Sequence, residues 1–157
     1  MIILRRALPF LAACLALFLV GCSLLPVRLT APATPLAALP ADLAAHRDGW
    51  LRGGARDYTW GFQLGCECGI SGEYTVTVVD GQATEIQQPP RIEPGIDLPV
   101  RTVDDLYAKA AETIAQGGEV HATWGDGGIP TSITFDPIPN AIDDELSVTV
   151  GSFTPAN

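Results

Sequence analysis

Histidine is nearly missing from this chain of 157 residues, with two in all, and basic residues are scarce, nine Lys and Arg against 18 Asp and Glu. Each shortage removes a class of function. His46 and His121 are far apart, without acidic neighbours at ligand spacing, so they predict neither a metal site nor a Ser/His/Asp order. The acidic excess argues against nucleic acid, whose phosphates demand clustered Lys and Arg, and against a basic face lying on anionic lipid. No glycine-rich phosphate loop follows a strand. Gly69-Ile70-Ser71-Gly72-Glu73 misses the nucleophile elbow because its second glycine comes one position early. The carboxylates at Asp143-Asp144-Glu145, with Asp126 and Asp136 upstream, lack calcium-loop spacing and read as solvated turns. No catalytic residue, cofactor or metal is expected. The apolar run from Leu8 to Val20 spans 13 residues, short of the roughly 20 that a spanning helix needs.

That run instead lies between Arg5-Arg6 and the small residues before Cys22, the three-part pattern of an export leader. Leu19-Val20-Gly21-Cys22 resembles a lipobox, the signal at which a bacterial lipoprotein precursor is cut and its cysteine acylated. Residues 1–21 are then a signal peptide, Cys14 is discarded with them, and Cys22 becomes the lipidated terminus. Removing 21 residues leaves 136, and losing Arg5 and Arg6 leaves seven basic residues against 18 acidic, a net charge of −11. Two or more acyl chains such as palmitate hold a protein stably where one does not. The expected location is the cell membrane or outer membrane, with the domain facing the periplasm or the exterior. A plain secretory leader is the competing reading.

Residues 22–41 form the next unit. Pro26, Pro32, Pro35 and Pro40 prevent a helix from propagating, so the segment reads as a tether that reaches up to roughly 60 Å in polyproline conformation. The domain proper is expected over residues 42–157. Asp42 is placed to cap a helix carrying Leu43, Arg47, Trp50 and Leu51 and ending at Gly53-Gly54. Tyr58, Trp60, Phe62, Leu64, Cys66 and Cys68 then alternate with Thr59, Gly61, Gln63, Gly65 and Glu67, the period of a strand with one buried face. Cysteines two apart on a flat strand sit about 6.6 Å apart at Cα, near the limit for a disulfide, and Gly65 and Gly69 permit the bend that closes the gap. A Cys66–Cys68 bridge is expected outside the cytoplasm, against buried free thiols, a redox-active pair or half of a metal site.

Tyr74–Val79 and Gln82–Gln87 flank Asp80-Gly81 as a hairpin. A two-residue turn would pair Val78 with Ala83, and a bulged turn would shift the register by one. Pro89, Pro90, Pro94 and Pro99 interrupt the stretch from Gln88 to Arg101. Its Ile92, Ile96, Leu98 and Val100 read either as a partner-binding surface or as a cover for one end of the sheet. Thr102 opens a helix with Asp105 as capping partner, and Val103, Leu106, Tyr107, Ala110, Ala111 and Ile114 make its apolar face. Strands follow at Glu119–Trp124, Thr131–Asp136 and Leu146–Phe153, separated by a glycine turn and a proline loop. The order helix, three strands, helix, three strands predicts a single α+β domain, an antiparallel sheet of about six strands with both helices on one face.

Lipobox, tyrosine-rich strand ending in Cys-x-Cys, valine strand and Asp-Gly turn, a helix opened by Thr-Val-Asp-Asp-Leu-Tyr, and Gly-Ile-Pro-Thr-Ser-Ile-Thr-Phe-Asp before Asp-Asp-Glu resemble an uncharacterised bacterial family. It is known only as a domain of unknown function in small exported lipoproteins. The resemblance covers Trp50 to Phe153, and Cys66 and Cys68 match the family's cysteine pair. It carries no catalytic residues, and Trp124-Gly125-Asp126-Gly127-Gly128 is more glycine-rich than the family's usual approach to the Gly-x-Pro turn. The functional expectation is a lipid-anchored, non-catalytic binding or envelope-assembly module for a protein or small-molecule partner. The alternatives are an exported enzyme, which would bring Tyr107, His121 and Asp126 into one pocket, and a redox protein using Cys66 and Cys68.

Overall fold

A computed structural model describes residues 39–156. The leader, Cys22 and most of the tether lie outside the described residues. Helix α1 (Ala41–Gly53) is followed by β1 (Tyr58–Gly65), β2 (Gly72–Val79) and β3 (Gln82–Gln87), then by helix α2 (Val103–Ala115), β4 (Glu119–Trp124), β5 (Pro130–Asp136) and β6 (Leu146–Pro155). One short 3₁₀ turn, Asp126–Gly128, lies between β4 and β5. The strands form one sheet in the order β3-β2-β1-β6-β5-β4, every neighbouring pair antiparallel. The two hairpin halves thus join through the longest strand, β6, beside β1. Among the described residues, no helix is long and apolar enough to cross a membrane.

Alternation decides which face is covered. Tyr58, Trp60, Phe62 and Leu64 of β1, Tyr74, Val76 and Val78 of β2, Ile133 and Phe135 of β5 and Leu146 and Val148 of β6 are all buried, and they share one core with Leu43 and Trp50 of α1 and Leu106, Tyr107 and Ala110 of α2. Both helices therefore lie on the same face. The opposite face presents Thr59, Gln63, Glu73, Thr149 and Thr123 to solvent, the usual division of an antiparallel sheet with one wet side.

Local chemistry explains the boundaries. In α2 the Thr102 hydroxyl accepts from the Asp105 backbone N–H at 3.1 Å while the Asp105 carboxylate accepts from the Thr102 N–H at 2.9 Å, the reciprocal arrangement that satisfies two unpaired helix-end donors. At α1 the expectation is corrected: the helix begins at Ala41 after Pro40, with Asp42 inside its first turn and no side-chain cap. Proline fixes φ for helix entry, and Asp42 faces the positive end of the helix dipole from within the first turn. Between β2 and β3, Asp80 and Gly81 both take positive φ, 52° and 74°, as a two-residue type I′ turn requires. Val78 pairs with Ala83, and an extra residue is accommodated one step later, where Thr77 pairs with Glu85.

Candidate functional site

The β1–β2 turn holds the one covalent crosslink among the described residues. Strand β1 stops at Gly65 and the chain then bends, so that Cys66 and Cys68 are joined with their Cα atoms 5.1 Å apart. This corrects the expectation that alternation carries both thiols to the core side. A flat strand would hold them about 6.6 Å apart; closing the bridge takes them off the strand, leaving Cys66 half-buried and Cys68 exposed. The turn is tied down from three sides. Tyr74 Oη donates to the Ile70 carbonyl at 2.6 Å and Ser71 Oγ to the Leu64 carbonyl at 3.2 Å. Arg91, from the long loop after β3, donates to the Ser71 carbonyl. The sequence placed no cation near the pair; folding brings Arg91 to the same turn.

The proline-rich loop lies against the core. Ile92 and Leu98 are 5% exposed and Val100 is fully buried, with Ile96 half-buried against them. Trp60 Nε1 donates to the Arg101 carbonyl at 3.0 Å, and the Val103 N–H donates to Tyr58 Oη at 3.0 Å. These bonds fasten the end of the loop and the start of α2 to β1. Of the two readings of these residues, a partner-binding surface or a cover for one end of the sheet, the burial of Ile92, Leu98 and Val100 agrees with the cover.

Tyr107, His121 and Asp126 do not converge. Tyr107 is buried on the helix side, its hydroxyl bonded to the Gly128 carbonyl, and burial pushes its phenol far above the ordinary value. His121 is exposed on β4, where strand spacing sets Glu119 beside it, 3.5 Å from Nε2. Trp124 faces inward from the same strand and His121 outward, so the sheet separates His121 from Tyr107. Asp126 is exposed in the glycine turn. Among the described residues, no three His, Cys, Asp or Glu side chains are grouped to hold a metal ion.

What does converge on Tyr107 is aromatic. His46 of α1 stacks on Trp124 at 4.0 Å between ring centroids, and Tyr107 lies parallel to the same indole at 6.0 Å. Trp50 completes the junction by donating from Nε1 to Asp104 Oδ1 at 3.2 Å. This cluster docks α1, the first helix among the described residues, onto both α2 and the β4–β5 turn. His46 on α1 and the glycine turn signalled only separate features in sequence.

Two isoleucines of the proline loop between β5 and β6 stand in solvent. Ile138 is 62% and Ile142 86% exposed. Pro139-Asn140 between them is the sequence signal, since proline followed by asparagine suits a type II turn, which here draws Ala141 back to Ile138.

The arrangement defines a two-layer α+β domain with a disulfide-pinned hairpin tip. The pattern of a family of unknown function (DUF6174) matches residues 42–155, and the chain belongs to that family. No curated protein and no solved structure matches it significantly.

Proposed function

We propose that the protein is an exported lipoprotein, anchored through acylated Cys22, whose α+β domain is a non-catalytic module for binding or for supporting an envelope assembly. The observation that carries this reading is the Cys66–Cys68 bridge. Disulfides persist in oxidising compartments, which is where the leader and Leu19-Val20-Gly21-Cys22 would deliver the chain. Binding is favoured over catalysis because the polar groups of the core hold structure together. Tyr58, Tyr107, Trp50 and Trp60 are each bonded to a neighbouring element, and Tyr107, His121 and Asp126 point to different surroundings. Palmitate labelling tests the reading. The wild-type chain should take up label and sediment with membranes, whereas Cys22→Ser should take up no label and keep residues 1–21; an unlabelled wild-type protein in the soluble fraction contradicts it.

A second reading, a redox-active pair, is favoured by the exposure of Cys68 and by Arg91 at the same turn. It is opposed by Glu67, whose charge between the two thiols disfavours a thiolate.

A further inference from the structure

The loop from Pro137 to Glu145 carries the two most exposed large apolar side chains of the described residues, Ile138 and Ile142. It is braced. The Ala141 N–H donates to the Ile138 carbonyl at 2.8 Å across Pro139 and Asn140, and Asn140 has φ 72°, a type II turn. Asp144 Oδ2 then accepts from the Ile138 N–H at 3.0 Å and ties the two ends of the loop together. These two bonds fix the backbone at Ile138, and both isoleucines stand in water, at a hydration cost that burial against a partner would remove.

Acid surrounds them. Asp143, Asp144 and Glu145 follow Ile142 directly, and Asp136, at the end of β5, sits opposite Glu119 on β4. The crowding is felt at Asp136, whose carboxyl is held above its ordinary value by partial burial and then by the charges of Asp144 and Glu145. Among the described ion pairs, none involves Asp136, Asp143, Asp144 or Glu145.

An apolar knuckle in an acidic collar repels an anionic bilayer, and it repels a second copy of this acidic chain. We propose that Pro137–Glu145 is the docking surface for a protein partner that presents an apolar cleft rimmed by Lys and Arg. The inference rests on the binding-module reading and specifies the chemistry of the partner.

The test titrates a synthetic peptide of alternating leucine and lysine into the isotope-labelled full chain, held in nanodiscs, and follows amide chemical shifts. The expected changes centre on residues 137–145 and reach Asp136 and Glu119. Ile138→Ser combined with Ile142→Ser should weaken binding at least about tenfold. Asp143→Asn with Glu145→Gln should flatten its salt dependence, with Asp144 kept because it braces Ile138. Both isoleucines are exposed, and an unchanged amide spectrum elsewhere would establish that the variants fold. Shifts centred on another surface, or no binding up to millimolar peptide, would overturn the proposal and leave the anchored-module reading standing. Broadening of Ile138 and Ile142 by spin-labelled lipid without peptide would assign the knuckle to the bilayer and overturn it too. The mass of the same sample reports acylation of Cys22, so failure of the underlying reading registers separately.

Discussion

Gly128 lies so close to His46 that a Cβ on the glycine would overlap the histidine's carbonyl oxygen, and it would also meet the Trp50 backbone nitrogen at 2.8 Å. Gly128 has φ 80°, a conformation that an L side chain adopts only under strain, and its own carbonyl receives the Tyr107 hydroxyl. One glycine thus lets α1, α2 and the β4–β5 turn meet. Gly128→Ala should destabilise the domain by about 2 to 4 kcal/mol, combining backbone strain with overpacking. Urea unfolding measures it. Gly127→Ala is the control: it also has positive φ, 69°, but an added Cβ would meet nothing within 4 Å, so it should lose only the strain component.

The Cys66–Cys68 bridge closes a loop of three residues, and the loop-closure relation gives roughly 1.5 kcal/mol for so short a ring. Reduction should lower the unfolding midpoint modestly and leave the sheet intact, with spectral changes confined to the β1–β2 turn. Circular dichroism with and without reductant, paired with thiol trapping, checks this. Global unfolding on reduction would show that the bridge holds more than the turn. Rapid exchange with a mild thiol in the native state would favour the redox reading.

All three tyrosines are buried and all three phenols are raised above 10. Tyr58 is pushed to about 12, first by burial and further by the charges of Asp104 and Asp105, against the lowering effect of the Val103 N–H. Because the folded state holds this proton more tightly than the unfolded chain, its contribution to stability is complete below pH 10 and is lost as pH rises towards about 12. Tyrosinate absorbance should therefore stay flat through pH 10 and rise with unfolding. A separate early titration of any of the three would contradict the burial described for it.

Periodicity made most of this fold legible. The alternation from Tyr58 to Leu64 and the helical spacing from Val103 to Ala111 follow directly from burial of one face, and the Thr102–Asp105 box is a local bond visible in four residues. Asp80-Gly81 gave the hairpin but not its register, since both turn types use those residues. The errors arose where distant contacts decide. Alternation continued through Cys68 on paper, but the crosslink bends the chain at Gly65. Leu51 fits the apolar pattern of α1 but is 56% exposed, because α1 meets the glycine turn through His46 and Trp50. No periodicity places Ile92 to Val100, so a partner-binding surface and a cover for the sheet both stayed open in sequence; their burial against the core agrees with the cover. Ile138 and Ile142 lay in a stretch read only as a proline loop, where composition does not reveal which apolar side chains stay outside.

The central claim is that the domain is carried on an acylated Cys22, and the most direct measurement is the mass of the N-terminal peptide of the protein isolated from membranes. The account predicts a chain that begins at Cys22 and bears a thioether-linked diacylglycerol. A chain that retains Met1, or one in which Cys22 carries no fatty acid, would contradict it.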